Sequence, residues 1–229
     1  MNYFTKLERT IWCVSIVAII ASFFIFGGEG YLSMIASLFG ATSLLLCAKG
    51  NFFAHIFGII FSLMYGYISF TFRYYGEMIT YMCMTMPMGV VALVSWIKNP
   101  YKGHKTEVEV YNIHKKDIWQ MVVLTTGVTI AFYYILAFFN TANLIPSTLS
   151  VTTSFSAVFL TYKRSPYYAI AYSFNDIVLI ILWMMAGMED KKYFSVVVCF
   201  IIFLVNDIYG FLCWKKMQKR QCVDVNTDS

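Results

Sequence analysis

Eight apolar runs follow one another along this 229-residue chain, each near the roughly 20 residues a helix needs to cross a bilayer. They lie near Ile11–Phe26, Tyr31–Ala48, Phe52–Phe72, Met78–Ile97, Ile118–Phe139, Ser147–Tyr162, Pro166–Gly187 and Tyr193–Trp214. In hydrocarbon a backbone must satisfy its own hydrogen bonds, and a helix does so within each run. A water-soluble domain carries about 25% charged residues, whereas this chain carries 13%. The expectation is an all-α integral membrane protein with about eight transmembrane helices. The first run has a basic start, Lys6 and Arg9, as a signal peptide would. No small-residue cleavage pattern follows it, so a retained first span is preferred.

The charges sort by side. Basic residues sit in the N-terminus, at Lys49, through the loop of residues 98–117, at Lys163-Arg164 and in the tail from Lys215. These are every second connection. The intervening ones, Gly27–Gly30, Arg73–Glu77, Asn140–Pro146 and Met188–Lys192, are poor in Lys and Arg. Positive residues stay in the cytoplasm, so both termini are expected there. The net charge of +5 is accounted for by these flanks and does not point to nucleic acid. None of the six cysteines forms a C-x-x-C pair, so neither a metal centre nor a disulfide framework is implied, and no cofactor is expected. Sequence signatures of hydrolases, zinc proteases and nucleotide-binding loops are absent. The chain does not read as an enzyme.

A duplication runs through the order of spans. Spans two to four read apolar run, Lys49-Gly50-Asn51, long span, acidic turn with Glu77, then a span ending at Trp96-Ile97-Lys98. Spans six to eight read apolar run, Lys163-Arg164-Ser165, long span, acidic turn with Glu189-Asp190, then a span ending at Trp214-Lys215-Lys216. A three-span unit ends on the side opposite its start, so a parallel repeat needs one linking helix. The fifth span supplies it. The expected architecture is one extra N-terminal helix plus a 3+1+3 core of parallel three-helix repeats. It divides into an N-terminal helix (1–30), a first repeat (31–98), a cytoplasmic loop and linking helix (99–140), a second repeat (141–216) and a cytoplasmic tail (217–229). Parallel repeats with a site near the midplane are a known transporter plan.

Polar residues inside the spans mark where chemistry can sit, because each is costly in lipid unless it faces a cavity or a partner. Asn175-Asp176 and Asn206-Asp207 are the strongest such pairs. Tyr172, Asn175, Asp176, Leu179 and Trp183 share one helical face, a clamp of two rings around an amide and an acid. The competing reading makes the Asn and Asp side chains interhelical glue. Asn206 shares a face with Tyr209, while Asp207 either lines the same hollow or reaches back toward a lysine. The third span carries a polar stripe, Asn51, His55, Gly58, Ser62, Tyr65 and Ser69, in which Tyr65 is placed to stack on a ring and His55 reads as a packed histidine. Pro87 permits a kink in the fourth span. The hydroxyl-rich start of the sixth span, from Ser147 to Ser156, reads as residues satisfying one another. Trp96 and Trp214, each close to a lysine, read as interface anchors.

Gly50-Asn51-Phe52-Phe53, Tyr75-Gly76-Glu77, Asn175-Asp176 through Leu182-Trp183, and Asn206-Asp207-Ile208-Tyr209-Gly210 through Trp214 resemble the PnuC family of nicotinamide riboside transporters. That family sits within the Pnu group for B-type vitamins, distantly similar to SWEET sugar facilitators. The resemblance covers about residues 31–216. It implies a homotrimer in a bacterial inner membrane and passive uptake of the vitamin, trapped inside by phosphorylation. It also implies that Trp183 and Tyr65 stack on the nicotinamide ring while Asn175 and Asn206 hydrogen-bond the substrate; Asp176, Tyr172 and Tyr209, read from the helical faces above, complete the candidate substrate-binding set. One departure is Met88-Gly89, where many relatives carry Gln or Asn beside the proline. Transport of thiamine, riboflavin or a deoxynucleoside therefore stays open. So does a membrane receptor or assembly protein whose Asn-Asp pairs only join helices.

Overall fold

A computed structural model describes residues 3–28, 30–71, 75–141 and 143–227. Expectations that fall on Glu29, Phe72, Arg73, Tyr74, Ala142 and the extreme termini lie outside the described residues. Within them, eight helices are long and apolar enough to cross a membrane. They are α1 (Lys6–Phe26), α2 (Tyr31–Ala48), α3 (Phe53–Thr71), α4 (Tyr75–Lys98), α5 (Lys115–Phe138), α6 (Leu144–Tyr162), α7 (Tyr168–Glu189) and α8 (Phe194–Thr227).

Two boundaries differ instructively from the apolar runs. Helix α1 begins at Lys6 rather than Ile11, because Thr5 and Glu8 form a reciprocal cap. The Glu8 amide donates to Thr5 Oγ1 at 3.2 Å and the Thr5 amide donates to Glu8 Oε2 at 2.7 Å. Helix α8 does not stop at Trp214 but continues through the polar tail to Thr227. There it packs on a β-hairpin that hydropathy gave no sign of, β1 (Pro100–Tyr101) and β2 (His104–Val108). The turn is Lys102-Gly103, with φ of 46° and 78°, the left-handed pair that matches strand twist in a two-residue hairpin.

The contacts run in the same order in both halves. Helix α2 packs on α3 as α6 packs on α7; α3 packs on α4 as α7 packs on α8. Between halves, α2 packs on α8 and α6 packs on α4. Helix α1 lies against α2 and α8, and α5 lies against α6, at the periphery. Their outward residues, such as Phe24, Ile25, Trp119, Tyr134 and Phe138, stay exposed and apolar.

The ends of α2 and α6 are built alike. Gly50 (φ 67°) and Arg164 (φ 56°) are both left-handed. At each, two amides close a Schellman motif: Gly50 to Cys47 O and Asn51 to Leu46 O, Arg164 to Thr161 O and Ser165 to Leu160 O. The connecting loop then bonds to both. The Val108 amide donates to Gly50 O and the Tyr111 amide to Arg164 O, each at 3.0 Å. Ion pairs Lys49–Glu8, Lys163–Asp117 and Arg220–Glu107 sit at this same basic end.

Candidate functional site

A cavity of about 230 Å³ lies between the two halves. Its wall takes Gly40, Ser43 and Cys47 from α2, and His55, Gly58 and Ser62 from α3. Helix α6 contributes Ser147, Ser150, Ser154 and Thr161, on one face at steps of three, four and seven. Helix α7 contributes Tyr168, Tyr172, Asn175, Asp176 and Trp183, and α8 contributes Phe203 and Asp207.

Helix α4 enters the wall through an irregularity. Residues Thr80–Thr85 form a π-helical turn immediately before Met86-Pro87. Proline has no N–H for the carbonyl four residues back, so the turn there is free to widen, and the Met86 amide bonds to Tyr81 O. Such single wide turns recur at functional sites. Here the turn places Thr80, Tyr81 and Thr85 on the cavity. Gly89 follows on the same side. Met88 instead packs away from it, beside the cluster of Met84, Phe132 and Leu136.

The sequence-derived candidates divide. Tyr172, Asn175, Asp176 and Trp183 come together on the wall. Asn175 Oδ1 accepts a hydrogen bond from Thr153 Oγ1 at 2.8 Å, which orients the amide. Trp183 packs on Tyr193, ring centroids 5.5 Å apart. Tyr65 stands one layer back: its ring meets Phe61 at 4.7 Å and Tyr81 at 5.5 Å, and those two line the cavity. Its hydroxyl lies 3.2 Å from Ser37 Oγ.

Asn206 and Tyr209 face elsewhere. Asn206 Nδ2 donates to Ser15 Oγ at 3.1 Å and to Ile202 O at 2.8 Å, so the side chain joins α8 to α1. Tyr209 donates to Glu8 Oε1 at 3.3 Å, at the basic end of α1. The expectation that Asn206 and Tyr209 share the hollow with Asn175 is therefore corrected. A neighbour on an α-helix is turned by about 100°, and α1 claims the Asn206 side. The acid beside it, Asp207, faces inward and meets Asp176 within hydrogen-bonding reach. Both are buried, at 3% and 4% exposure, and neither forms an ion pair with a lysine among the described residues.

Three other placements were not legible. The serines of α6 form part of the wall rather than satisfying only one another; their period along the helix is the signal that marks one face. Trp96 and Trp214 are not interface anchors but are buried at the centre, at 2% and 0% exposure. Above them, His55 packs edge-on to Trp96 at 4.3 Å and Tyr168 to Trp214 at 5.1 Å. The stripe on α3 also splits, since Asn51 Oδ1 accepts from the Phe53 amide at 3.0 Å at the helix start.

The family described as nicotinamide mononucleotide transporter matches residues 30–216. The chain is 26% identical over 219 residues to a Nicotinamide riboside transporter PnuC of Neisseria mucosa, covering 93% of this chain and 82% of that one. It is 23% identical over 193 residues to the protein of the same name from Haemophilus influenzae, covering 84% and 82%. The fold is similar to a crystal structure of the vitamin B3 transporter PnuC, with TM-score 0.81, 22% identity, and coverage of 96% and 95%.

Proposed function

Because this chain belongs to the nicotinamide mononucleotide transporter family, we propose that it carries nicotinamide riboside across a bacterial inner membrane by alternating access. The observation that carries this reading is the cavity between the halves, where Asn175 stands between the aromatic side chains of Tyr172 and Trp183. An amide hydrogen-bonds ribose hydroxyls or a carboxamide, and aromatic faces hold a flat ring. With Oδ1 committed to Thr153, Asn175 has its Nδ2 to donate.

The choice of riboside over the phosphorylated nucleotide rests on charge. Phosphate sites are built from Arg, Lys or backbone amides. No Lys or Arg lines the cavity among the described residues, while Glu77, Asp176 and Asp207 do. The site set is thus Tyr172, Asn175, Asp176 and Trp183, with Tyr65 supporting Tyr81 from behind.

The two three-helix units rock against each other in this reading, with the basic end cytoplasmic and both termini inside. Transport is uncoupled, and three copies associate through the exposed apolar faces. Calorimetry on purified protein with nicotinamide riboside, nicotinamide mononucleotide, thiamine and riboflavin tests the substrate. Heat from the riboside and none from the mononucleotide is expected; a riboside that gives no heat while another compound binds overturns the assignment.

A further inference from the structure

We propose that Asp176 and Asp207 act as one unit carrying a single negative charge, and that this unit selects the positively charged pyridinium ring of the substrate over neutral rings of the same shape. The inference rests on the nicotinamide riboside reading and adds to it the group that recognises charge.

Asp176 extends from α7 and Asp207 from α8, and their carboxyls meet at the cavity wall. Asp176 Oδ2 is buried with no hydrogen-bond donor in reach among the described residues. The groups packed around the pair are neutral: Cys47, Tyr168 and Tyr172 beside Asp207, and Cys199 beside Asp176. Two adjacent carboxylates cannot both hold a charge in such surroundings without a cation. A hydrogen bond between two carboxyls requires one proton, which leaves one negative charge over the pair. N-glycosylation of a pyridine places one positive charge on its ring, so a bound nicotinamide nucleoside matches that charge one for one. Asp176 adjoins Asn175 in sequence and lies one turn from Tyr172, so the charge stands where the aromatic side chains and the amide would hold the ring.

Two arms of one binding experiment test the proposal. In the first, the wild-type protein is titrated with nicotinamide riboside and with its neutral isostere, in which benzene replaces pyridinium. A preference of at least about tenfold for the cation is expected, as for other buried charge pairs. Equal affinities overturn the proposal and leave the transport reading standing; no binding of either nucleoside overturns both. In the second arm, Asp176→Asn or Asp207→Asn alone imitates the protonated partner and keeps the preference, whereas both together abolish it. A double variant that keeps the preference refutes the idea. The titrations are run with sodium and with choline as the salt. If riboside binding needs sodium, the pair holds a metal cation instead, and the proposal fails.

Discussion

Trp96 and Trp214 face each other across the two halves with ring centroids 5.3 Å apart, and each donates its indole N–H to the opposite half. Trp96 Nε1 reaches Thr161 O at 2.9 Å, at the end of α6; Trp214 Nε1 reaches Cys47 O at 2.8 Å, at the end of α2. Both acceptors are carbonyls in the last turn of a helix, each already bonded to an amide of the Schellman turn and accepting the indole N–H as a second donor. The pair therefore clamps the halves together beneath the cavity.

Replacing either tryptophan by Phe keeps a ring but removes the one hydrogen bond that ties that carbonyl to the opposite half, leaving it only its local amide partner. A loss of about 0.5–1.5 kcal/mol is expected, seen as a lower melting temperature in detergent. The two single variants should behave alike, because the bonds are equivalent. A large effect at one and none at the other would show that only one bond holds the halves.

Asn175 and Asn206 should separate in function. Asn175→Leu removes a cavity donor and is expected to abolish riboside binding in calorimetry while the protein still folds. Asn206→Leu removes the bond to Ser15, costing about 0.6–2 kcal/mol by analogy with other interhelical bonds in membranes, and leaves binding intact. The reverse pattern would place the substrate against α1.

Gly40 is tight against the wall. A Cβ there would stand 2.6 Å from Phe203 Cζ and 3.1 Å from Phe61, both cavity rings. Gly40→Ala should push these rings inward and weaken riboside binding by about tenfold, with overpacking of about 1–3 kcal/mol as the cause. Unchanged affinity would mean that the rings have room to retreat.

The hairpin loop depends on Gln221. Its Oε1 accepts from the Val110 amide at 2.8 Å, and its Nε2 donates to Glu107 Oε1 at 2.9 Å and Val108 O at 3.1 Å. Gln221→Ala leaves the half-buried Val110 amide without its side-chain acceptor, about 1 kcal/mol. Residues 98–114 should then become more open to limited proteolysis, while binding in the cavity stays the same. No change in cleavage rate would mean that the ion pair of Arg220 with Glu107 suffices.

The sequence alone determined the class of fold, the spans, the gathering of basic connections at one end and the inventory of polar residues that lipid would not tolerate. Those follow from hydropathy and from the cost of burying charge, both properties of local composition. It also determined which residues share a helical face, since the period of 3.6 is intrinsic. What it left open was how each helix is rotated against its neighbours. Tyr172, Asn175, Asp176 and Trp183 face inward because α7 lies between α6 and α8. On α8 the adjacent Asn206 and Asp207 point apart, and only the presence of Ser15 on α1 decides that the amide turns out and the acid turns in. The central place of Trp96 and Trp214 has the same origin: a tryptophan beside a lysine looks alike at a membrane interface and at a helix crossing, until the carbonyl it bonds is in place.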